Sequence, residues 1–269
     1  MIRWSVKVLA WTGLWAAAVA LSRAEELPAD ERSLWLVWAS HTNAPEDHAT
    51  VAEACQAFRT KAPRDPLAAV AQGLEAWHLL KTGQTNAAVR LFEPMLLSTN
   101  NALAKAGADM ARGWLTRLDR ELVRAALMRL YVRDIEFPGS LEAIKALKGG
   151  APPPFADRWG APWSYRLADL RAFKGIQRQR YVLESKWLGA NSDLTQALAV
   201  PYASRITLEP LRVLSGLGAG ETVEFSSPSR KSVVLMPGTD MDGVAFVYLG
   251  KSLLVLADGD HWRVTPRPR

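Results

Sequence analysis

The stretch from residue 155 to residue 165 constrains the fold most, because the periodicity of the sequence changes there. Apolar residues recur at helical spacing before it and alternate as in strands after it. Within it, Gly160 permits a tight bend, Pro162 fixes the backbone, Trp159 supplies a large ring, and Asp157 can bind nearby amides. We therefore predict an α+β chain in which a helix gives way to a β-hairpin at this point.

The first 24 residues have the layout of a secretory signal peptide. A short basic segment precedes 14 uncharged residues, 8–21, and small residues then occupy the −3 and −1 positions of a cleavage site after Ala24. A membrane-spanning helix needs about 20 apolar residues, yet an uncleaved anchor that holds the protein at the membrane stays open as the alternative. We expect an exported protein of the periplasm or cell envelope.

Charge and cysteine content limit the classes of partner. Removal of residues 1–24 takes away three of the 33 basic residues and none of the 27 acidic ones, which leaves a net charge of +3. Residues 118–199 carry 13 Lys and Arg against nine Asp and Glu, which favours an acidic protein surface over nucleic acid as the partner. Cys55 is the only cysteine, so we expect no internal disulfide and a buried thiol.

Residues 25–112 read as paired helices, because turn-forming segments separate apolar residues at helical spacing. Asp65 and Pro66 predict the start of a helix over 67–81, and Asn86 predicts the cap of the helix that follows.

The two helices on either side of Gly83 are similar to a tetratricopeptide hairpin. Ala88 and Phe92 have the spacing of that family's second helix, whereas Glu75 stands where the family has leucine. A second pair could start near Ala102. A lone hairpin cannot bury its own apolar face, so stacked hairpins and an ordinary helical bundle both stay open.

Residues 113–199 are expected to form an αβ module. Leu118, Leu122, Ala126 and Leu130 recur every fourth residue and predict a long amphipathic helix that ends near residue 134. A short helix capped by Ser140, a proline-rich spacer and two strands are predicted to follow, at 141–147, 151–154, 163–167 and 180–188.

This order of elements resembles the C-terminal part of the major pseudopilin of type II secretion systems, over roughly residues 115–195. That family has an Asp-Pro-Trp-Gly-x-Pro-Tyr-x-Tyr segment and a strand that ends in Leu-Gly-Ala-Asp-Gly. Arg158 replaces the usual proline. The resemblance implies a structural motif made of Asp157, Trp159, Gly160, Pro162, Tyr165, Leu188, Gly189 and Ala190.

Two departures from the pseudopilin pattern matter. The family's N-terminal apolar helix with its Glu and methylated Phe is missing, so we do not expect polymerisation into a pseudopilus. The family's acidic calcium loop corresponds to residues 188–194, where Asp193 is the one strong oxygen donor. Calcium prefers six or more oxygens, so we do not expect a tight calcium site. We also expect no other metal and no cofactor.

Residues 200–269 predict a small antiparallel β module. Its Asp-Gly at 258–259 is typical of a hairpin turn. Gly216, Gly218 and Gly220 could suggest a phosphate loop, but no helix follows them. The alternation of strands and short glycine-containing turns resembles the small periplasmic β domain of inner-membrane secretion or pilus clamp proteins. An unrelated β-sandwich or barrel is the alternative. Six strands are predicted, at 204–214, 221–225, 232–236, 243–249, 252–256 and 261–264.

Catalytic and metal-binding patterns find little support. His41, His48, His78 and His261 match no metal-ligand spacing. Asp258, Asp260 and His261 could form a triad with a distant serine, but neighbouring residues on a hairpin are not expected to face one another, which predicts a solvated turn. Asp240 and Asp242 are interpreted as part of a plain loop.

We therefore predict a non-catalytic exported envelope protein with four parts: a signal peptide (1–24), a helical-hairpin region (25–112), a pseudopilin-like module (113–199) and a small β domain (200–269). Its expected role is structural or adaptor work for a type II secretion or pilus-like machine, with protein partners of the envelope and no nucleic acid. An unrelated periplasmic protein-binding scaffold and an envelope hydrolase are the alternatives.

Overall fold

The computed structural model describes residues 29–147, 152–173, 176–200, 202, 206–215 and 220–269. The predicted signal peptide, Gly216 and Gly218 lie outside these residues. Among the residues described, no helix has both the length and the apolar character needed to cross a membrane.

The fold is α+β, as predicted. Helices come first: α1 (Ala29–Asn43), α2 (His48–Lys61), α3 (Ala68–Lys81), α4 (Thr85–Met95), α5 (Ala102–Asp134) and a 3-10 helix (Leu141–Ala146). A hairpin and two further helical segments follow: β1 (Ser164–Phe173), β2 (Ile176–Glu184), a 3-10 turn (Ala190–Ser192) and α6 (Leu194–Ala199). The last strands are β3 (Glu209–Ser215), β4 (Glu221–Ser226), β5 (Val233–Leu235), β6 (Thr239–Met241), β7 (Val244–Leu249), β8 (Leu253–Ala257) and β9 (Trp262–Pro266).

The chain forms two compact units. Of the described residues, the first unit contains those up to Ala111 and those within Tyr202–Arg269, and the second contains those within Arg112–Pro201. Residues that the sequence analysis divided between a helical region and a β domain therefore belong to one unit.

Helices and sheets share the interior of the first unit. Two antiparallel sheets, β3-β4-β5 and β6-β7-β8-β9, enclose an apolar core that includes the paired rings of Phe225 and Phe246. The indole of Trp262 on β9 lies against Gly73 on α3, where a Cβ atom would sit 2.5 Å from the indole nitrogen. On α1, the Glu31 carboxylate accepts the backbone N–H groups of Lys251 and Ser252, at 2.7 and 2.8 Å.

The second unit packs the β1–β2 hairpin against one face of α5. Val123, Leu127 and Leu130 on that face share a buried core with Trp163 and Leu183. The two strands pair antiparallel from Ser164↔Glu184 to Phe173↔Ile176.

The long helix differs from the prediction in two ways. α5 runs without interruption from Ala102 to Asp134, so the second helix pair predicted near Ala102 is wrong. Gly107 and Gly113 both lie within this helix, and one glycine costs only about 1 kcal/mol there. Leu122, which we assigned to the buried face, is 56% exposed, because Val123 points to the core in its place.

Helix caps were predicted less accurately than helices. Asn86 lies inside α4, which begins at Thr85. The Asp65 carboxylate accepts the N–H of Leu67 at 2.8 Å, but α3 begins only at Ala68. Ser140 precedes a 3-10 helix, not an α-helix, and its side chain makes no capping hydrogen bond.

Strand positions were largely correct, and strand ends were not. Each of the six strands predicted within residues 200–269 overlaps an observed strand, while β6 was missed. β2 ends at Glu184, so Ser185 and Trp187 leave the strand on which they were placed. The Ser185 hydroxyl accepts the N–H of Trp187 at 3.1 Å and so stabilises a turn there. α6 was also missed; Asp193 caps it by accepting the N–H of Gln196 at 3.0 Å.

Candidate functional site

Asp157 organises the predicted motif. Its Oδ1 accepts the N–H groups of Trp159 and Ala161, at 3.0 and 2.9 Å, and its own N–H donates to the Ala161 carbonyl at 2.8 Å. Gly160 closes this loop with a φ of +82°, a conformation that glycine adopts without strain. The carboxylate is buried, so the loop is built around a charged group whose hydrogen bonds hold it in place.

A buried serine network connects this loop to the end of β2. The Ser185 hydroxyl donates to Asp157 Oδ2 at 2.7 Å. The Ser192 hydroxyl accepts the N–H of Ser185 at 2.9 Å and donates to the Gly189 carbonyl at 2.6 Å. Neither serine was predicted as a motif member, although both flank the Leu-Gly-Ala segment that was.

The other motif residues support the same loop pair. Pro162 forms an isolated bridge with Ala156, and the Tyr165 hydroxyl donates to the Pro138 carbonyl at 2.6 Å. Gly189 has a φ of +51°, and its N–H donates to the Ser185 carbonyl at 2.9 Å. Leu188 and Ala190 lie in the same turn, and Trp159 packs at 6.0 Å, ring centre to ring centre, from the exposed Trp187. The motif residues thus come together around the junction and play a structural part.

Arg158, at the position where the pseudopilin pattern has proline, binds α5. Its guanidinium makes a bidentate pair with Asp119, at 2.5 and 3.0 Å, and its backbone N–H donates to the Thr116 hydroxyl at 3.1 Å. A proline has neither donor. The substitution therefore gives this chain an attachment of the loop to the helix that the pseudopilin pattern does not supply.

We expect Arg158→Ala to destabilise the second unit by about 1 to 3 kcal/mol, because it leaves the buried Asp119 carboxylate without its bidentate partner. Hydrogen exchange of the β1 and β2 amides would measure the change as an acceleration of about fivefold or more. The matched control is Arg133→Ala, which removes an exposed pair with Asp134 and should leave exchange unchanged. Equal exchange in the wild type and Arg158→Ala would contradict the assignment.

Two further arginines of α5 hold the segment that corresponds to the calcium loop. Arg117 donates to the Asn191 carbonyl at 2.8 Å, and Arg120 donates to Asp193 Oδ2 at 3.0 Å and to the Leu183 carbonyl at 2.9 Å. Burial raises the pKa of Asp193, but the N–H of Gln196 and the charge of Arg120 outweigh it and lower the pKa overall. A guanidinium thus faces the one carboxylate that a calcium ion would need there.

The opposite side of α5 presents apolar side chains to solvent. Leu122, Met128 and Val132 are 56%, 40% and 76% exposed and lie within about 120° of one another around the helix. Ile135 follows the last helical residue and is 76% exposed. These four residues are called the apolar face below.

Ile135 is held in a strained conformation. Its φ is +63°, and its N–H donates to the Tyr131 carbonyl at 2.7 Å, which ends the helix. Glycine or asparagine normally takes this position, and a β-branched residue there costs about 1 to 2 kcal/mol. An exposed isoleucine in a strained conformation points to a use that stability does not explain.

The first unit contains a second feature that the sequence analysis missed: its interior brings all four histidines of the sequence into one neighbourhood. His41 Nδ1 lies 2.9 Å from His78 Nε2, and His48 Nδ1 lies 2.9 Å from His78 Nδ1. The rings of His41 and His261 both pack against Tyr202, with centres 4.8 and 4.7 Å from its centre. Residues so far apart in sequence give no spacing pattern that would have revealed this.

The predicted solvated turn at residues 258–261 is wrong. Asp260 and His261 are 5% and 1% exposed, and His261 Nδ1 lies 2.5 Å from Asp260 Oδ1 and 3.5 Å from Asp258 Oδ1. The turn, with Gly259 at a φ of +72°, brings adjacent side chains to the same side. Their donor atoms lie within 4.8 Å of one another, a spacing that a metal ion could bridge, but the short contact between His261 and Asp260 is a direct hydrogen bond. Burial lowers the pKa of His261, and the two carboxylates outweigh it and raise the pKa overall.

Other predicted positions have structural explanations. Cys55 is buried, as predicted, and burial raises the pKa of its thiol far above the ordinary value. Asp240 belongs to β6 and not to a loop. Asp242 accepts the hydroxyls of Ser227 and Ser229, at 3.2 and 2.5 Å.

Comparisons with family models, with curated proteins and with solved structures find no match for this chain. Its function is therefore argued from its own geometry.

Proposed function

We propose that this protein is a non-enzymatic adaptor of the cell envelope that docks through the apolar face of α5 onto a component of a type II secretion or pilus-like machine. The single observation that carries the proposal is the division of α5 into two faces. One face binds the motif loop and the hairpin, and the other exposes Leu122, Met128, Val132 and Ile135.

The motif supports an adaptor because it makes the helix rigid. Arg117, Asp119 and Arg120 on α5 bind three separate segments of the second unit. Asp119 binds Arg158, which belongs to the loop that Asp157 holds in place. A helix held so firmly presents its other face with little loss of conformational entropy on binding. This is the helix-in-groove type of recognition, in which an apolar stripe supplies the anchors.

Charge indicates the chemistry of the partner. Residues 118–199 carry four more basic than acidic residues, and Arg129 is exposed on the same side of α5 as the apolar face. The carboxylate of Glu121, also on that side, is bound by Arg120 and Arg124, at 3.1 and 2.6 Å. We therefore assign the partner site to a helix with an apolar stripe flanked by acidic residues.

The histidines support a structural role over hydrolysis. His41, His78 and His261 are each less than 5% exposed, and the ring nitrogens that contact one another or Asp260 face the interior. A general base must come within hydrogen-bond reach of a substrate proton, which burial of this kind prevents.

Affinity capture from envelope extracts tests the proposal. The full-length wild type should recover a secretion or pilus-like component, and Val132→Glu combined with Ile135→Glu should lower that recovery at least about tenfold, because two carboxylates would be buried against an apolar, acid-flanked surface. Leu97→Glu is the matched control, since Leu97 is 86% exposed and lies in the first unit.

Ile135→Asn separates docking from folding. Asparagine suits the positive φ at this position, so the variant should be more stable by about 1 kcal/mol and yet recover less partner. Recovery of unrelated proteins alone, or equal recovery by the wild type and the double variant, would contradict the proposal.

A further inference from the structure

His78 is the buried centre of a hydrogen-bonded cluster with the buried His41 and the partly buried His48, called the histidine cluster below. Each residue comes from a different helix: His41 from α1, His48 from α2 and His78 from α3. Both nitrogens of His78 are engaged, Nε2 by His41 Nδ1 and Nδ1 by His48 Nδ1, each at 2.9 Å. The cluster therefore connects three helices through one imidazole.

The geometry favours hydrogen bonds over a metal ion. A zinc ion lies about 2.0 Å from each ligand nitrogen, so three histidines that share one ion must direct one nitrogen each to a single point. His41 and His48 approach opposite nitrogens of His78, so one ion cannot bind all three rings.

The number of protons that the cluster can hold follows from its two contacts. A neutral imidazole has one N–H and one lone pair, and each nitrogen–nitrogen contact needs one of each. Three neutral rings satisfy both contacts, and one added proton on His78 still satisfies both. A second added proton places N–H against N–H at one of the 2.9 Å contacts. In the unfolded chain all three histidines are free to bind protons.

We propose that the histidine cluster is an acid-sensitive connection that holds α1, α2 and α3 together at neutral pH and releases them as the pH falls below about 6. The limit on added protons is the reason: the folded protein with both contacts intact binds at most one added proton, whereas the unfolded chain binds three.

The surroundings act in the same direction. The pKa of His41 is lowered to about 4, mainly by burial and to a smaller extent by the charge of His261. The pKa of His78 is lowered to about 3, mainly by burial and to a smaller extent by the neighbouring histidines and Lys81. Burial and Lys81 lower the pKa of His48 as well, although Glu46 and Asp47 oppose them.

A pKa lowered in the folded state means that stability is full above the ordinary value of 6.5 and is lost as the pH falls towards the folded value. His261 acts in the opposite direction: its pKa is raised by Asp258 and Asp260, so its contribution is largest below 6.5. Tyr202, whose ring packs against His41, has a raised pKa and stays neutral across this range.

Denaturant unfolding at two pH values tests the proposal. Each histidine that stays neutral in the folded state raises the unfolding equilibrium constant about 30-fold between pH 7.5 and pH 5, so two raise it about 1,000-fold, less the opposing effect of His261. The test variant combines His41→Asn and His48→Asn, because an asparagine amide can occupy the position of the histidine Nδ1. In this variant the unfolding equilibrium constant at pH 5, divided by that at pH 7.5, should be at least about 30-fold smaller than the same ratio in the wild type. A ratio equal to that of the wild type would overturn the proposal.

Because the ratio compares each variant with itself, a general loss of stability does not affect it. Should the variant fail to fold, NMR titration of the wild type gives the same answer. The ring C–H signals of His41 and His78 should show no protonation above pH 5 while the protein stays folded. Titration of both near 6.5 in the folded protein would also overturn the proposal.

Discussion

Replacement of Asp157 by alanine is expected to destabilise the second unit by about 3 to 5 kcal/mol. The substitution leaves the N–H groups of Trp159 and Ala161 and the hydroxyl of Ser185 without their buried acceptor. A hydrogen bond to a charged group contributes about 1.5 to 3 kcal/mol, and a buried donor that loses its partner adds a desolvation penalty. Since Ser185 also binds the turn after β2, the loss should spread from the motif loop to the hairpin.

Hydrogen exchange of the β1–β2 amides measures this effect, and an acceleration of about 100-fold or more is expected. Asp157→Asn is the matched control, because its amide oxygen can still accept from the two backbone N–H groups and the Ser185 hydroxyl can rotate to accept from its nitrogen. We expect a cost of about 1 kcal/mol for that variant. Equal exchange in Asp157→Ala and in the wild type would show that the motif does not hold this unit together.

Replacement of Trp262 by alanine is expected to destabilise the first unit by about 3 to 5 kcal/mol, the usual effect of removing a fully buried aromatic side chain. The indole covers Gly73 on α3 and lies near Gly107 on α5, where a Cβ atom would be 3.9 Å from the ring. Its removal leaves a cavity against a helix that has no side chain at Gly73 to fill it.

The position of Trp262 also makes this variant a test of cooperativity. Because β9 and α3 share this contact, the amides of α3 and of β8 should lose hydrogen-exchange protection together. Trp187→Ala is the matched control, since Trp187 is 64% exposed, and it should change neither. Loss of protection in the strands alone, with α3 unchanged, would show that the helices and sheets fold independently.

Local patterns predicted the elements, and long-range contacts decided what the sequence could not show. The break between α1 and α2, the helix ending at Asp134 and six of the late strands follow from periodicity and turn chemistry. The face of α5 did not, because Leu122 and Val123 are both apolar and only the packing of the hairpin decides which is buried. The helix caps failed because serine, asparagine and aspartate also favour turns, as Asp65 shows.

Some residues of the candidate sites could be found from the sequence, and others depend on contacts between distant positions. Asp157, Gly160 and Tyr165 could be found from their order along the sequence, whereas the part played by Ser185 depends on a contact 28 residues away. The histidine cluster joins positions 37 and 30 residues apart, which no local pattern encodes.

The role of Arg158 shows how a departure from a family pattern can carry information. At the sequence level it weakened the resemblance, and in the structure it supplies the bidentate pair with Asp119. The attachment of the motif loop to α5, on which the proposed docking through the apolar face depends, therefore rests partly on a residue that the pattern does not contain.

Photo-crosslinking tests the central claim most directly. A photoreactive amino acid at position 132 of the full-length protein, in intact cells, is predicted to crosslink to a component of a type II secretion or pilus-like machine, and the same amino acid at position 97, which is equally accessible but lies in the first unit, is predicted not to. Absence of such an adduct at position 132, or the same adduct in equal yield at both positions, would contradict the account.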